Sequence, residues 1–236
     1  MILFSSSMGK SGSTFLCNLQ EDMLALSGVR SGQAKLRENF EGRWVKNFPL
    51  NTIIKLLWIN FRNGSIVIKT HTPPTRYVRW LIQLRIAKAT YSYRDVRDVI
   101  LSALDHGARN RKQGKTTEIY ADLFTVEEAM YVGTNSIKAM QRWQQFGLVH
   151  FVRYEFLMND RLNELIKMKN FFDWDIGNKE IDKLIEDHEK TKRASLNFNK
   201  GITKRYKTEM TTEEKLFCNE KLKDYLVGLG YDIEVS

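Results

Sequence analysis

Lys10, Ser11, Gly12, Ser13 and Thr14 stand in a row between a short apolar run, Ile2-Leu3-Phe4, and an apolar helical pattern that begins at Phe15. Strand, small-residue loop and helix in that order turn the first N–H groups of the helix, two hydroxyls and one ammonium toward a common point. A phosphate-type oxyanion is the ligand that such donors bind best. The competing reading is a Ser/Gly-rich turn with a solvated lysine. Gly9-Lys10-Ser11 also matches the end of the Walker pattern G-x-x-x-x-G-K-[ST], but Phe4 stands where its first glycine belongs.

A second group is Lys69-Thr70-His71, at the end of a β-branched run. Residues two apart on a strand share a face, so Lys69 and His71 can address one reacting centre. An imidazole can take a proton from a hydroxyl, and an ammonium can stabilise charge on a bridging oxygen. A histidine near a strand end can equally be a structural hydrogen-bonder. The third group runs from Arg94 to Ser102. Arg94 closes an apolar strand pattern, Asp95 can cap the helix that follows, and Ser102 lies about two helical turns on. Arg94 and Ser102 could hold a second phosphate; a capped helix with surface Arg/Asp pairs is the plainer alternative.

The elements that must position these groups read as follows. Strands are expected at 1–5, 65–69, 89–93 and 150–153, and helices at 13–27, 50–61, 75–85, 95–104 and 125–145. Residues 28–48 read as an irregular polar segment, 105–118 as a basic loop, and the remainder as mostly helical, broken at 197–207. Strands alternating with helices predict an α/β fold: a single P-loop-like domain over 1–236, with a central parallel sheet covered by helices on both faces. In such sheets ligands bind beyond the carboxyl ends of the strands, where all three groups lie.

The bulk composition agrees. Of 236 residues, 42% are hydrophobic and 28% charged, ordinary values for a globular chain with a full core. The net charge of +9 fits either a solvated basic surface or attraction to polyanionic ligands. No recognition-helix, zinc or RNA-binding signature suggests nucleic acid. Cys17 and Cys218 have neither metal-type nor redox spacing and read as buried free thiols of a reducing compartment, hence a cytoplasmic protein. No window approaches the roughly 18 apolar residues of a membrane span, and residues 1–16 lack a signal-peptide pattern.

Taken together, the three groups resemble the motifs of the sulfotransferases that use 3′-phosphoadenosine 5′-phosphosulfate (PAPS). Lys10-Ser11-Gly12-Ser13-Thr14-Phe15 is similar to that family's 5′-phosphosulfate loop, K-S-G-T-T-W, and Lys69-Thr70-His71 to its K-T-H. Arg94 to Ser102 resembles its 3′-phosphate motif R-x-P-x-D-x-x-x-S. Arg153-Tyr154-Glu155-Phe156-Leu157 resembles R-Y-E-D-L, and Lys200-Gly201 with Tyr206-Lys207 resembles the late R-K-G-x-x-G-x-W-K loop. The departures are Phe15 for Trp, Val96 for Pro, Asn199 for Arg and Lys204 for the second Gly. The family's dimer motif starts at Lys207 and Thr211 but fails at Thr212 and Leu216, so a monomer or weak homodimer is expected.

The resemblance implies sulfuryl transfer from PAPS, with PAP as product and no metal, to a hydroxyl or amine of a small-molecule acceptor. His71 would be the base, with Lys10 and Lys69 assisting. Lys10 to Thr14 would hold the 5′-phosphosulfate; Arg94, Ser102, Asn199, Lys200 and Gly201 the 3′-phosphate; Phe15 and Tyr154 the adenine. Trp44, Phe48, Trp58, Tyr77, Trp80, Tyr120 and Phe124 are candidate acceptor walls, each also readable as core. The alternatives are a P-loop kinase using Mg²⁺ and ATP, or a non-catalytic nucleotide- or polyanion-binding protein on the same fold.

Overall fold

A computed structural model describes residues 1–40, 42–192 and 201–233. In chain order the elements are β1 (Ile2–Ser7), α1 (Ser13–Leu26), α2 (Gln33–Asn39), α3 (Leu50–Asn63), β2 (Ile66–Thr70), α4 (Arg76–Gln83), β3 (Ala87–Tyr93), α5 (Val96–Lys112) and α6 (Val126–Gln144). Then come β4 (Val149–Arg153), α7 (Tyr154–Asn159), α8 (Arg161–Phe172), α9 (Asn178–Lys192), α10 (Tyr206–Glu209), α11 (Thr212–Lys221) and α12 (Lys223–Gly228). The chain gathers into two compact units. The first holds Met1–Tyr93 and the chain from Met140 through α9; the second holds Arg94–Ala139 and the described residues from Gly201 onward.

In the first unit four parallel strands run in the order β2-β1-β3-β4. β1 is buried along its whole length, and its register pairs Ser6 with Thr70 on one side and Ser7 with Ser92 on the other. It continues two residues past its expected end because small serines fit a strand enclosed on both sides. The sheet's two faces then follow from period-two alternation. Leu3, Val67 and Val152 point to a core shared with Leu16, Leu19 and Met23 of α1 and with Leu165 and Met168 of α8. Phe4 points the other way, edge-on to Phe48 at 5.3 Å, where α3 and α4 cover β1 and β3.

Two expectations fail for local reasons. Residues 28–48 contain α2, which buries only Leu36 and so shows no apolar period. Its Gln33 instead mimics a strand: the side-chain amide donates to the Val67 carbonyl and accepts from the Val67 N–H, both at 2.9 Å, along the β2 edge. Residues 105–118 are not all loop either, since α5 runs to Lys112. Arg109, Arg111 and Lys112 fill its last turn, where cations complement the helix dipole.

In the second unit α5 carries the core. Asp95 caps it, accepting from the Arg97 N–H at 3.0 Å, and Val96 begins it. Gly107 lets the chain return close against the helix: a Cβ there would stand 1.9 Å from the Tyr120 carbonyl oxygen. Arg111 holds that return by donating to the carbonyls of Ala121 and Leu123, both at 2.8 Å. Gly107→Ala should therefore lower stability by ~2 kcal/mol or more, because backbone cannot yield as a side-chain tip can. Urea denaturation checks this; an unchanged midpoint contradicts it.

Candidate active site

The loop after β1 is locked from beneath. The Met8 N–H donates to the Ser92 carbonyl at 2.8 Å, extending the β1–β3 ladder by one bond. The fully buried Ser11 hydroxyl donates to the Met8 carbonyl at 2.7 Å and lies 3.1 Å from the Ser92 carbonyl. The Ser92 hydroxyl returns a bond to the Ser11 carbonyl at 2.7 Å. Ser11 thus spends its side chain on the loop's shape, and only its backbone is available to a ligand.

Above this lock the backbone is left-handed at Lys10, φ 62°, and at Gly12, φ 76°. Gly12 is required twice over, since a Cβ there would come within 2.7 Å of the Tyr154 ring. The N-terminus of α1 has no side-chain cap and no acidic residue in its first turn. The amides of Ser13, Thr14 and Phe15 are donors that the helix itself cannot use. Thr14 Oγ1 accepts from Lys69 Nζ at 2.7 Å. Phe15 is half-buried, edge-on to His188 at 5.9 Å and with the Arg161 guanidinium 5.1 Å from its ring.

His71 lies just past the end of β2. Its Nδ1 is 2.9 Å from the Ser7 carbonyl oxygen and 2.9 Å from the Ser7 hydroxyl. A carbonyl can only accept, so a hydrogen bond to it requires the proton on Nδ1, the tautomer that leaves the lone pair on Nε2. Trp44 packs edge-on to the imidazole at 4.7 Å, and Lys69 Nζ sits 5.1 Å over the same indole. Burial pushes the His71 pKa down; the Ser7 carbonyl opposes that shift, Lys69 and Lys10 add to it, and the result is about 4. Burial also lowers the Lys69 pKa, with Arg43 adding to the effect and Cys17 opposing it. The expected pair therefore does share one face, with the imidazole neutral across the whole physiological range.

Arg94 and Ser102 lie in the second unit. Arg94 is buried and donates to Asp98 Oδ2 at 2.8 Å and to the Ile202 carbonyl at 2.6 Å. Asp98 Oδ1 accepts from the Tyr206 N–H at 3.0 Å. Burial raises the Asp98 pKa, while Arg94 and the Tyr206 N–H draw it back. Positions 94, 98 and 102 follow at four-residue steps, and Ser102 is buried on α5. The Arg/Asp pairs, surface features in the plainer alternative, are internal: Arg97 is fully buried, forked onto Asp95 at 3.0 and 2.7 Å, and stacked 3.5 Å over Tyr206. Gly201 is left-handed, φ 65°; Asn199 and Lys200 lie outside the described residues.

Comparison with known proteins decides the family. Residues 3–227 match the sulfotransferase domain family. The chain belongs to that family. Sulfuryl transfer is the reaction that goes with it, and the P-loop-like α/β fold is that of solved sulfotransferases. Mouse sulfotransferase SULT7A1 complexed with PAP aligns with TM-score 0.66 at 16% identity, covering 97% of this chain and 87% of that one. Retinol dehydratase in complex with androsterone and inactive cofactor PAP aligns with TM-score 0.58 at 16% identity, covering 95% and 80%. A structure of retinol dehydratase with retinol and PAP gives TM-score 0.59 at 16% identity, covering 95% and 81%. No match was found among curated proteins.

Sequence reasoning missed two residues, one in each unit, that orient expected site residues. Ser7 orients His71, and the signal was only that it ends the strand. Asp98 ties Arg94 to α10, and its four-residue spacing from Arg94 was the available clue. Of the proposed acceptor walls, Phe48 is core, whereas Trp58, Trp80 and Phe124 are exposed. Thr211, which began the imperfect dimer motif, caps α11 in a reciprocal box with Glu214.

Lys204, standing where the family's late loop carries glycine, adopts a left-handed φ of 60°. Lys204→Gly should raise unfolding stability by about 1 kcal/mol through relief of that conformation. Thermal and urea denaturation test it; a loss of stability would contradict the strain.

Proposed function

We propose that this sulfotransferase moves a sulfuryl group from PAPS to the hydroxyl, or amine, of a small-molecule acceptor, with His71 as general base and no metal requirement. The chain would act as one sulfotransferase-like domain, monomeric or weakly dimeric, in the cytoplasm. The observation that carries the reading is the contact of His71 Nδ1 with the Ser7 carbonyl. With Nδ1–H committed to the Ser7 carbonyl, Nε2 is the nitrogen that can take a proton. A merely nucleotide-binding protein would have no use for a neutral, oriented imidazole beside two lysines. The Walker-type kinase alternative loses its support to the family match.

The groups fit the donor's chemistry. When bound, PAPS supplies an activated sulfuryl group whose leaving oxygen belongs to a phosphate. The residues that would hold its 5′ end are Lys10 and the amides of Ser11 to Thr14, around the cradle that Gly12 keeps open beneath Tyr154. Lys69 would neutralise charge at the transferring group, shifting from the Thr14 hydroxyl it now meets. Arg94 and Ser102 would serve the 3′-phosphate, and Phe15 and Tyr154 the adenine. His71 Nε2 would remove the acceptor's proton as its oxygen bonds to sulfur. The small-molecule acceptor is suggested by likeness to a fold that in retinol dehydratase holds retinol or androsterone.

Two results test this. His71→Ala should cut kcat by ~10²–10⁴ while PAP affinity stays near that of the parent. Because the imidazole is the base only when neutral, and its pKa is held at about 4, kcat should be level from neutral pH down to about 5. It should then fall as pH drops through 4. A fall centred near 6.5 would mean that the imidazole is solvated and not held as described.

Arg94 cannot be removed alone, since Asp98 would be left buried without its cation. The double variant Arg94→Gln/Asp98→Asn removes both charges. Calorimetry should show PAP binding weakened by ~10–100-fold, the worth of a charge-assisted contact, with adenosine 5′-phosphosulfate little changed. Equal losses for both ligands would refute the 3′-phosphate role.

A further inference from the structure

The stretch 42–94 contains ten Lys and Arg and no Asp or Glu, so it holds more positive charge than the chain's net +9. It includes two helices of the first unit that pack against each other, α3 and α4. Each buries one apolar stripe, through Ile53, Leu56 and Ile59 on α3 and Val78, Leu81 and Ile82 on α4. α3 then carries a second apolar stripe on its outer side. Leu50, Ile54, Trp58 and Phe61 recur at helical spacing and are all exposed, Phe61 to 80% and Trp58 to 58%. On α4 and just beyond it, Trp80 and Leu84 are exposed as well.

A helix needs one apolar face to fold onto a sheet; the outer stripe serves nothing inside the molecule. Its border is cationic. Lys55 and Arg62 flank it on α3, the Arg62 guanidinium lying 4.9 Å from the Trp58 ring. On α4 Arg76 is 4.7 Å from the Tyr77 ring, and Arg85 follows Leu84. Trp and Tyr with cations at their edges, around long aliphatic side chains, match the apolar-to-charged gradient of a lipid–water boundary.

We propose that the outer face of α3 and α4 docks the protein on the surface of an anionic lipid bilayer. The charge pattern selects this occupant over a second copy of the chain. A two-fold contact through this face would set cations against cations, with no carboxylate on either helix to answer them. Anionic headgroups supply the missing charge while the stripe enters the acyl boundary. Docking would be peripheral: no helix among the described residues is long and apolar enough to cross a membrane.

The test is co-sedimentation with phosphatidylcholine vesicles, with and without about a third phosphatidylglycerol, at ~0.1 M salt. The protein should bind the anionic vesicles, release at high salt and ignore the neutral ones. Trp58→Ser/Phe61→Ser and, separately, Lys55→Glu/Arg62→Glu should each lower partitioning by about tenfold or more, with far-UV circular dichroism unchanged. If either pair misfolds, quenching of tryptophan emission by brominated lipid in the unsubstituted protein gives the same answer. Failure to bind anionic vesicles, equal binding by the variants, or lipid-free self-association abolished by the same substitutions would overturn the proposal. None of these readouts depends on sulfotransferase activity.

Discussion

A carbonyl oxygen has no proton to give. That constraint, applied to the bond between Ser7 and His71, organises the chemistry proposed for this sulfotransferase. The Ser7 carbonyl ends an inner strand of the sheet, and as a bond acceptor it favours the proton on Nδ1 of the imidazole. Parallel register brings the two residues together, since Ser6 pairs with Thr70 and each strand then delivers its next residue to the same edge. The imidazole proposed as the base is therefore positioned by the sheet itself. Burial and two nearby ammonium groups keep it neutral, so its proton-accepting form needs no adjustment at physiological pH.

The loop beside it follows the same economy. Ser11 in the loop and Ser92 near the end of β3 each bond the other's backbone carbonyl, which holds a left-handed turn without consuming the amides at the start of α1. In the second unit the equivalent device is Asp98, which joins the Arg94 guanidinium to the first amide of α10. A buried carboxylate with two partners fixes the arginine's direction better than a solvent-facing pair could, because each unmet bond there would be costly.

Much of this was legible in the sequence. The strand–loop–helix at the N-terminus, the Lys69/His71 spacing and the strand order's parallel character come from periodicity and small-residue punctuation, which local sterics impose directly. What was hidden depended on tertiary partners. Nothing local marks Gln33 as a substitute strand, because its amide acquires that role only from the β2 edge. The Arg/Asp pairs of α5 look like surface charge until the helix is covered. Trp58 and Trp80 look like core or pocket walls, since an aromatic residue at helical spacing does not reveal which of two stripes faces inward. The late loop shows the reverse: the departure from glycine at Lys204 was visible, and its left-handed backbone is the physical consequence.

The central claim is the protonation state of one ring, and ¹⁵N NMR of the histidine side chains measures it directly. For His71 the account predicts a protonated Nδ1, an Nε2 with the shift of an unprotonated nitrogen at neutral pH, and a titration midpoint near 4. A proton on Nε2, or a midpoint near 6.5, would contradict it.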